Sequence, residues 1–154
     1  MEPNTHTFYR LMEPAGGSGE LGCWTRAVGR FREVVGYTVF GELFLHDPRT
    51  DELAVLLPGN AELIATGVRG VAMFQKEFLE LPVVREALGR PEELENLVTR
   101  LGPLREGEIF EPIWDPYLAA HGERNVYRRT PVWDWLKEVG QILRIGREVL
   151  PEAG

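Results

Sequence analysis

Apolar residues change their spacing several times along this 154-residue chain, and each change marks an expected element. From Val39 to Leu57 the pattern reads as a β-hairpin. VFGELFLHD and ELAVLL flank a Pro-Arg-Thr turn in which Pro48 sets φ and Asp47 and Asp51 can bond back to the backbone. On the first strand Phe40, Glu42, Phe44 and His46 share one face, with Gly41, Leu43 and Leu45 on the other. Both faces are mostly apolar, as expected of a central strand covered on each side. Pro58, Gly59 and Asn60 then turn the chain toward a short third strand through Leu63 and Ile64.

Helical spacing follows, with Val71, Phe74, Phe78 and Leu81 on one face until Pro82 ends the run. A short helix over Val83 to Leu88 stops at Gly89. The next opens with Pro91, Glu92 and Glu93, buries Leu94, Leu97 and Leu101, and closes at Gly102 and Pro103. Glu108 to Ile113 and Asn125 to Arg129 read as strands joined by the loop WDPYLAAHG. The last helix follows Thr130 as N-cap, with Pro131 first and Val132, Leu136, Val139 and Leu143 inward. Trp133 and Trp135 lie about 200° apart on it, which puts one of them near the surface.

Residues 1–30, including Gly16, Gly17, Ser18 and Gly19, read as an irregular segment, 31–149 as one domain and 150–154 as a frayed tail. The expected fold is α+β: a small antiparallel or mixed sheet packed by about four helices in a single domain.

Charge changes the picture. Asp and Glu number 24 against 17 Lys and Arg, a net charge of -7, where a phosphate backbone calls for the opposite sign. Nucleic acid is therefore not the expected partner, whereas a basic protein would be attracted. Cys23 is the only cysteine, so an intramolecular disulfide and a cysteine-rich metal cage are excluded and a reducing compartment fits. The N-terminus lacks a basic start with an apolar run, and no stretch nears the roughly 20 apolar residues that span a bilayer. A cytoplasmic protein without membrane contact is expected.

Candidate chemistry is thin. His6, His46 and His121 are scattered with no HExxH or HxH spacing, so neither a metal nor another cofactor is expected. Cys23 reads as a small buried hydrophobe, and His46 with Asp47 as a solvated turn edge. GGSG is a connector and not a phosphate loop, because Glu20 and Leu21 follow where Lys and Ser or Thr are needed. Ser18, the sole serine, has no nucleophile elbow around it. Glu106, Glu108, Glu111 and Asp115 are close in sequence, but on a strand starting at Glu108 the Glu111 side chain points to the other face. Trp and Tyr beside carboxylates are ingredients of a protein-binding hot spot. Glu108, Glu111, Trp114, Asp115, Tyr117 and Glu123 are accordingly the expected partner-contact set. In the alternative, Trp114 and Tyr117 plug the end of the core.

The run FREVVGYTVFGELFLHDPRTDELAVLLP, then MFQKEFL, LGPLREGEIFEPIWDPYLAAHG and VWDWLKEVGQIL, resembles the GAD-like and Tdi-type immunity domains of bacterial type VI secretion. The resemblance covers Phe31 to Leu143. Its most specific parts are FGELFL with its Asp-Pro turn, LGPLxxGEIF, and the Val-Gly-Gln of the last helix. It implies a non-catalytic antidote that binds a cognate toxin or effector protein and blocks its active site. Two other classes stay open: a small hydrolase using Asp47, Glu108 or Glu111, and a scaffold or regulatory domain, including a homo-oligomer built through an exposed aromatic face.

Overall fold

Val, Leu and Phe alternating between short turns build the central sheet. The computed structural model describes residues 7–113 and 126–153. Eight strands occur among them: β1 (Tyr9–Gly16), β2 (Glu33–Thr38), β3 (Leu43–His46), β4 (Glu52–Leu57), β5 (Glu62–Arg69), β6 (Glu108–Ile113), β7 (Val126–Pro131) and β8 (Glu152–Ala153). The helices are α1 (Gly17–Glu20), α2 (Val71–Phe74), α3 (Pro82–Gly89), α4 (Pro91–Leu101) and α5 (Val132–Ile142). One sheet has the order β1-β2-β3-β4-β5-β8, antiparallel except for the parallel β5–β8 pair, and β6 and β7 form a separate hairpin. The architecture is α+β in a single domain. Among the described residues no helix is long and apolar enough to cross a membrane.

β3 is the central strand that its two apolar faces predict. Leu43, Phe44 and Leu45 are completely buried, and each contributes about 2 kcal/mol of apolar burial. Leu43 and Leu45 join a core with Trp24, Phe31, Leu136 and Val139, under α5 and the turns after β1. Phe44 joins the opposite core with Phe74, Leu79, Leu94 and Leu97, under α2 and α4.

Both ends of the chain differ from expectation. Tyr9–Gly16 is a strand and not irregular chain: β1 is an edge strand, where Pro14 is tolerated, and a register shift between Leu11 and Ala15 absorbs the proline. Gly17–Glu20 is a single helical turn, not a connector. At the other end Leu150 is buried, and Glu152 and Ala153 pair with Leu63 and Ile64, so the expected frayed tail is part of the sheet. Boundaries at residues 30 and 150 therefore match no break in the fold.

Two helical expectations also shift. After α2 the chain widens into a π-helical stretch, Gln75–Leu79, in which Glu80 N–H donates to Gln75 carbonyl at 3.1 Å. The wider turn rotates Leu79 into the core and leaves Leu81 42% exposed. Thr130 lies in β7 and does not cap α5; Pro131 takes the cap position. Both Trp133 and Trp135 are half-buried against one core.

Candidate functional site

The β6–β7 hairpin carries the loop singled out by its aromatics. Gly107, with φ +85°, turns the chain into β6, its N–H donating to the Tyr37 hydroxyl at 2.7 Å. Ile109 and Phe110, both fully buried, then enter opposite cores and fix the hairpin to the sheet. Phe110 N–H also donates to Val39 carbonyl at 2.7 Å. The hairpin stem stays in register up to Ile113 and Val126.

Two of the six expected contact residues lie on this stem, and both are engaged internally. Glu108, half-buried, accepts from the Arg105 backbone N–H at 2.8 Å. Glu111 is 5% exposed and accepts from Arg128 Nε at 3.0 Å and Thr130 Oγ1 at 2.8 Å. Its carboxylate holds Arg128 above the ordinary guanidinium range. Trp114, Asp115, Tyr117 and Glu123 lie outside the described residues, as do His6 and His121.

Beside the stem a cleft of about 270 Å³ is lined by Phe40, Glu42, Arg90, Pro112, Tyr127 and Trp135. Arg90 joins α3 to α4 in a left-handed conformation, φ +41°, a strain of about 1 kcal/mol for a residue with a Cβ. Its guanidinium lies 4.5 Å over the Phe40 ring, 3.8 Å from Glu42 and 3.5 Å from Glu93. Glu42 is nearly buried and accepts from the Thr38 hydroxyl. The Tyr127 hydroxyl donates to Glu93 at 2.9 Å; burial, reinforced by that carboxylate, pushes its pKa up to about 12. Trp135 Nε1 donates to Gly41 carbonyl at 3.2 Å, and any Cβ at Gly41, φ +97°, would collide with that indole. The walls of the cleft are thus set by their own contacts.

The α3–α4 junction separates this cleft from a groove of about 430 Å³ between the two helices. Phe8, Pro82, Pro91 and Leu94 supply apolar lining, and Gly89 presses so close to Phe8 that an added methyl would meet the ring at 3.0 Å. Around the mouth stand Glu80, Glu86, Glu92 and Glu95, all exposed, with one cation, Arg85. None of these four carboxylates has an ion pair or side-chain hydrogen bond among the described residues.

At the opposite end of β3 the charges are arranged otherwise. Arg30 donates from Nε and Nη2 to Glu152 at 2.9 Å each and from Nη1 to Asp47 at 3.1 Å; it also lies 3.0 Å from Glu52. Its guanidinium stacks 4.3 Å over Phe31. Hydrogen bonding to Glu152, with Asp47 and Glu52, raises Arg30 against its own desolvation, and Arg30 in turn lowers Glu152. Burial would raise Asp47, but the Arg49 N–H, the Thr50 hydroxyl and Arg30 outweigh it and the net shift is downward. His46 contacts not Asp47 but Glu33 at 2.9 Å and Asp51 at 2.7 Å. Burial opposes its charge, yet the two carboxylates raise its pKa overall. Cys23 is exposed, against the expectation of a buried thiol, although its sulfur lies against Gly140 of α5, where an added methyl would meet it at 2.5 Å.

No protein-family model and no curated protein matches the chain. Its fold is similar to the crystal structure of Atu4351 from Agrobacterium tumefaciens, with a TM-score of 0.52 and 14% sequence identity. The match covers 87% of this chain and 66% of that one, so the chain spans just under two thirds of that protein's length. At such identity the likeness bears on the fold alone.

Proposed function

We propose that the chain is a binding inhibitor: an immunity protein that neutralises a cognate secreted toxin, of the type VI or Rhs-type effector class, by blocking its active site in the cytoplasm of the producing cell. The observation that carries the reading is the in-register β6–β7 hairpin, whose Pro112 and Tyr127 line a cleft with aromatic and charged walls held by their own contacts. A preorganised surface loses little conformational entropy on association, and Trp, Tyr and Arg are the side chains that dominate binding energy. Net charge of -7 adds attraction for a basic toxin surface.

The motif residues behind the immunity resemblance serve the scaffold. FGELFL runs from the β2–β3 turn into the central strand, which begins at Leu43, Gly107 turns into β6, and Gly140 lets α5 approach Trp24. The hydrolase alternative gains no comparable support. Asp47 sits in the β3–β4 turn on Arg30, while Glu108 and Glu111 project to opposite faces of β6 with separate partners.

Co-expression with the product of each adjacent toxin gene tests the reading. With the cognate toxin, a stoichiometric complex on size exclusion and restored growth are expected. Absence of both for every adjacent candidate overturns it.

A further inference from the structure

We infer that the groove between α3 and α4 is a second docking element, one that takes a basic segment of the partner: an apolar side chain flanked by Lys or Arg. The inference rests on reading the chain as a protein binder and names the chemistry of what it holds.

Three observations converge on that occupant. The lining is apolar and ready-made, with Phe8 and Leu94 buried beneath it and Pro82 and Pro91 at its sides, so a side chain entering it loses water without exposing any core. The sequence neighbours of Pro82, Leu81 and Val83, are 42% and 71% exposed, so apolar surface is present next to the lining residue in the chain. Four carboxylates without an ion pair among the described residues, Glu80, Glu86, Glu92 and Glu95, line the groove, with Arg85 the one cation among its described lining residues.

Helix stability does not account for the placement of those charges. Glu86 lies in the last two turns of α3, toward the negative end of its dipole, and Glu92 and Glu95 are like charges one turn apart on α4. A cationic segment relieves both conflicts while its apolar residue covers Phe8 and Leu94. A second copy of this acidic chain would bring further carboxylates to the same rim.

The purified full chain and a labelled helical peptide of Leu and Lys, with the Lys-to-Glu peptide as counterpart, test this by fluorescence anisotropy at low salt. The basic peptide is expected to bind saturably and at least about tenfold more tightly than the acidic one, and less tightly as salt rises. The triple variant Glu86→Lys, Glu92→Lys, Glu95→Lys should weaken it about tenfold. Glu20→Lys, Glu62→Lys, Glu148→Lys alters net charge equally at exposed sites elsewhere and should change binding less than about twofold. Amide shifts should centre on Gly89, Glu92 and Leu94. Equal losses in both triple variants, or shifts centred away from the groove, overturn the inference. Groove binding in a chain that rescues no toxin removes the immunity reading alone; full rescue by the groove variant removes this inference alone.

Discussion

Around the β3–β4 turn each acidic side chain has an Arg or His partner, whereas around the α3–α4 groove four carboxylates have none among the described residues. Arg30 gathers Asp47, Glu52 and Glu152, and His46 bridges Glu33 and Asp51. Glu80, Glu86, Glu92 and Glu95 are exposed and have no side-chain partner among the described residues. Net charge is blind to this difference. In the first region acidity is internal to the fold and ties β8 to the turn; in the second it is available to something outside. Glu108 and Glu111 are likewise engaged within the fold, Glu108 by the Arg105 backbone N–H and Glu111 by Arg128 and Thr130 of β7.

If the Arg30 region is structural, Arg30→Met gives the largest effect. Asp47, with 3% of its side chain exposed, keeps Thr50 and the Arg49 N–H but loses its counter-charge, and β8 loses its anchor. Breaking a buried pair costs about 3–5 kcal/mol. Arg30 is 35% exposed, so solvent screening lowers the expectation to about 2 kcal/mol in urea unfolding. A loss below about 0.5 kcal/mol would place this network among ordinary surface pairs and dissolve the contrast.

A smaller, pH-dependent effect belongs to the His46 bridge. Its pKa is raised in the folded state above the ordinary 6.5, so its contribution is complete below pH 6.5 and is lost as pH rises through the folded value. The stability gap between wild type and His46→Gln should therefore be widest below pH 6.5, within about 1 kcal/mol, and close toward alkaline pH. Asp47 and Glu152 run the other way. Their pKa values are lowered, so their contribution stands above the unfolded values of 3.8 and 4.5 and fades as pH falls through the folded ones. A gap that widened with rising pH would show that His46 is not held charged by Glu33 and Asp51.

How much of either region can be read from sequence depends on the range of the interactions. The β3–β4 hairpin, α3, α4 and the α5 stripe announce themselves because period and turn residues are local signals. Arg30 and Glu152 are 122 positions apart, and a two-residue strand behind Pro151 has no period to detect. β1 hides behind Pro14 and a register shift, and the π-helical stretch breaks the 3.6-residue stripe that picks Phe78 and Leu81 over Leu79. The groove fails differently. Its glutamates look like any solvated helix face, and what separates them is Phe8, brought beneath them from more than 70 positions upstream.

The smallest effect on stability, and the sharpest on the comparison, comes from neutralising the groove with Glu86→Gln, Glu92→Gln and Glu95→Gln. Removing Glu86 relieves its clash with the end of α3, worth a few tenths of a kcal/mol, and removing Glu95 relieves repulsion with Glu92. Removing Glu92 from the first turn of α4 costs a similar amount. These terms offset, so unfolding free energy should stay within about 0.5 kcal/mol of wild type at neutral pH, far less than the loss on removing Arg30. A drop of 2 kcal/mol or more would mean that these carboxylates are built into the fold as deeply as Asp47 is. Near-neutral stability combined with weaker uptake of a basic peptide would separate the two regions by what each does with its negative charge.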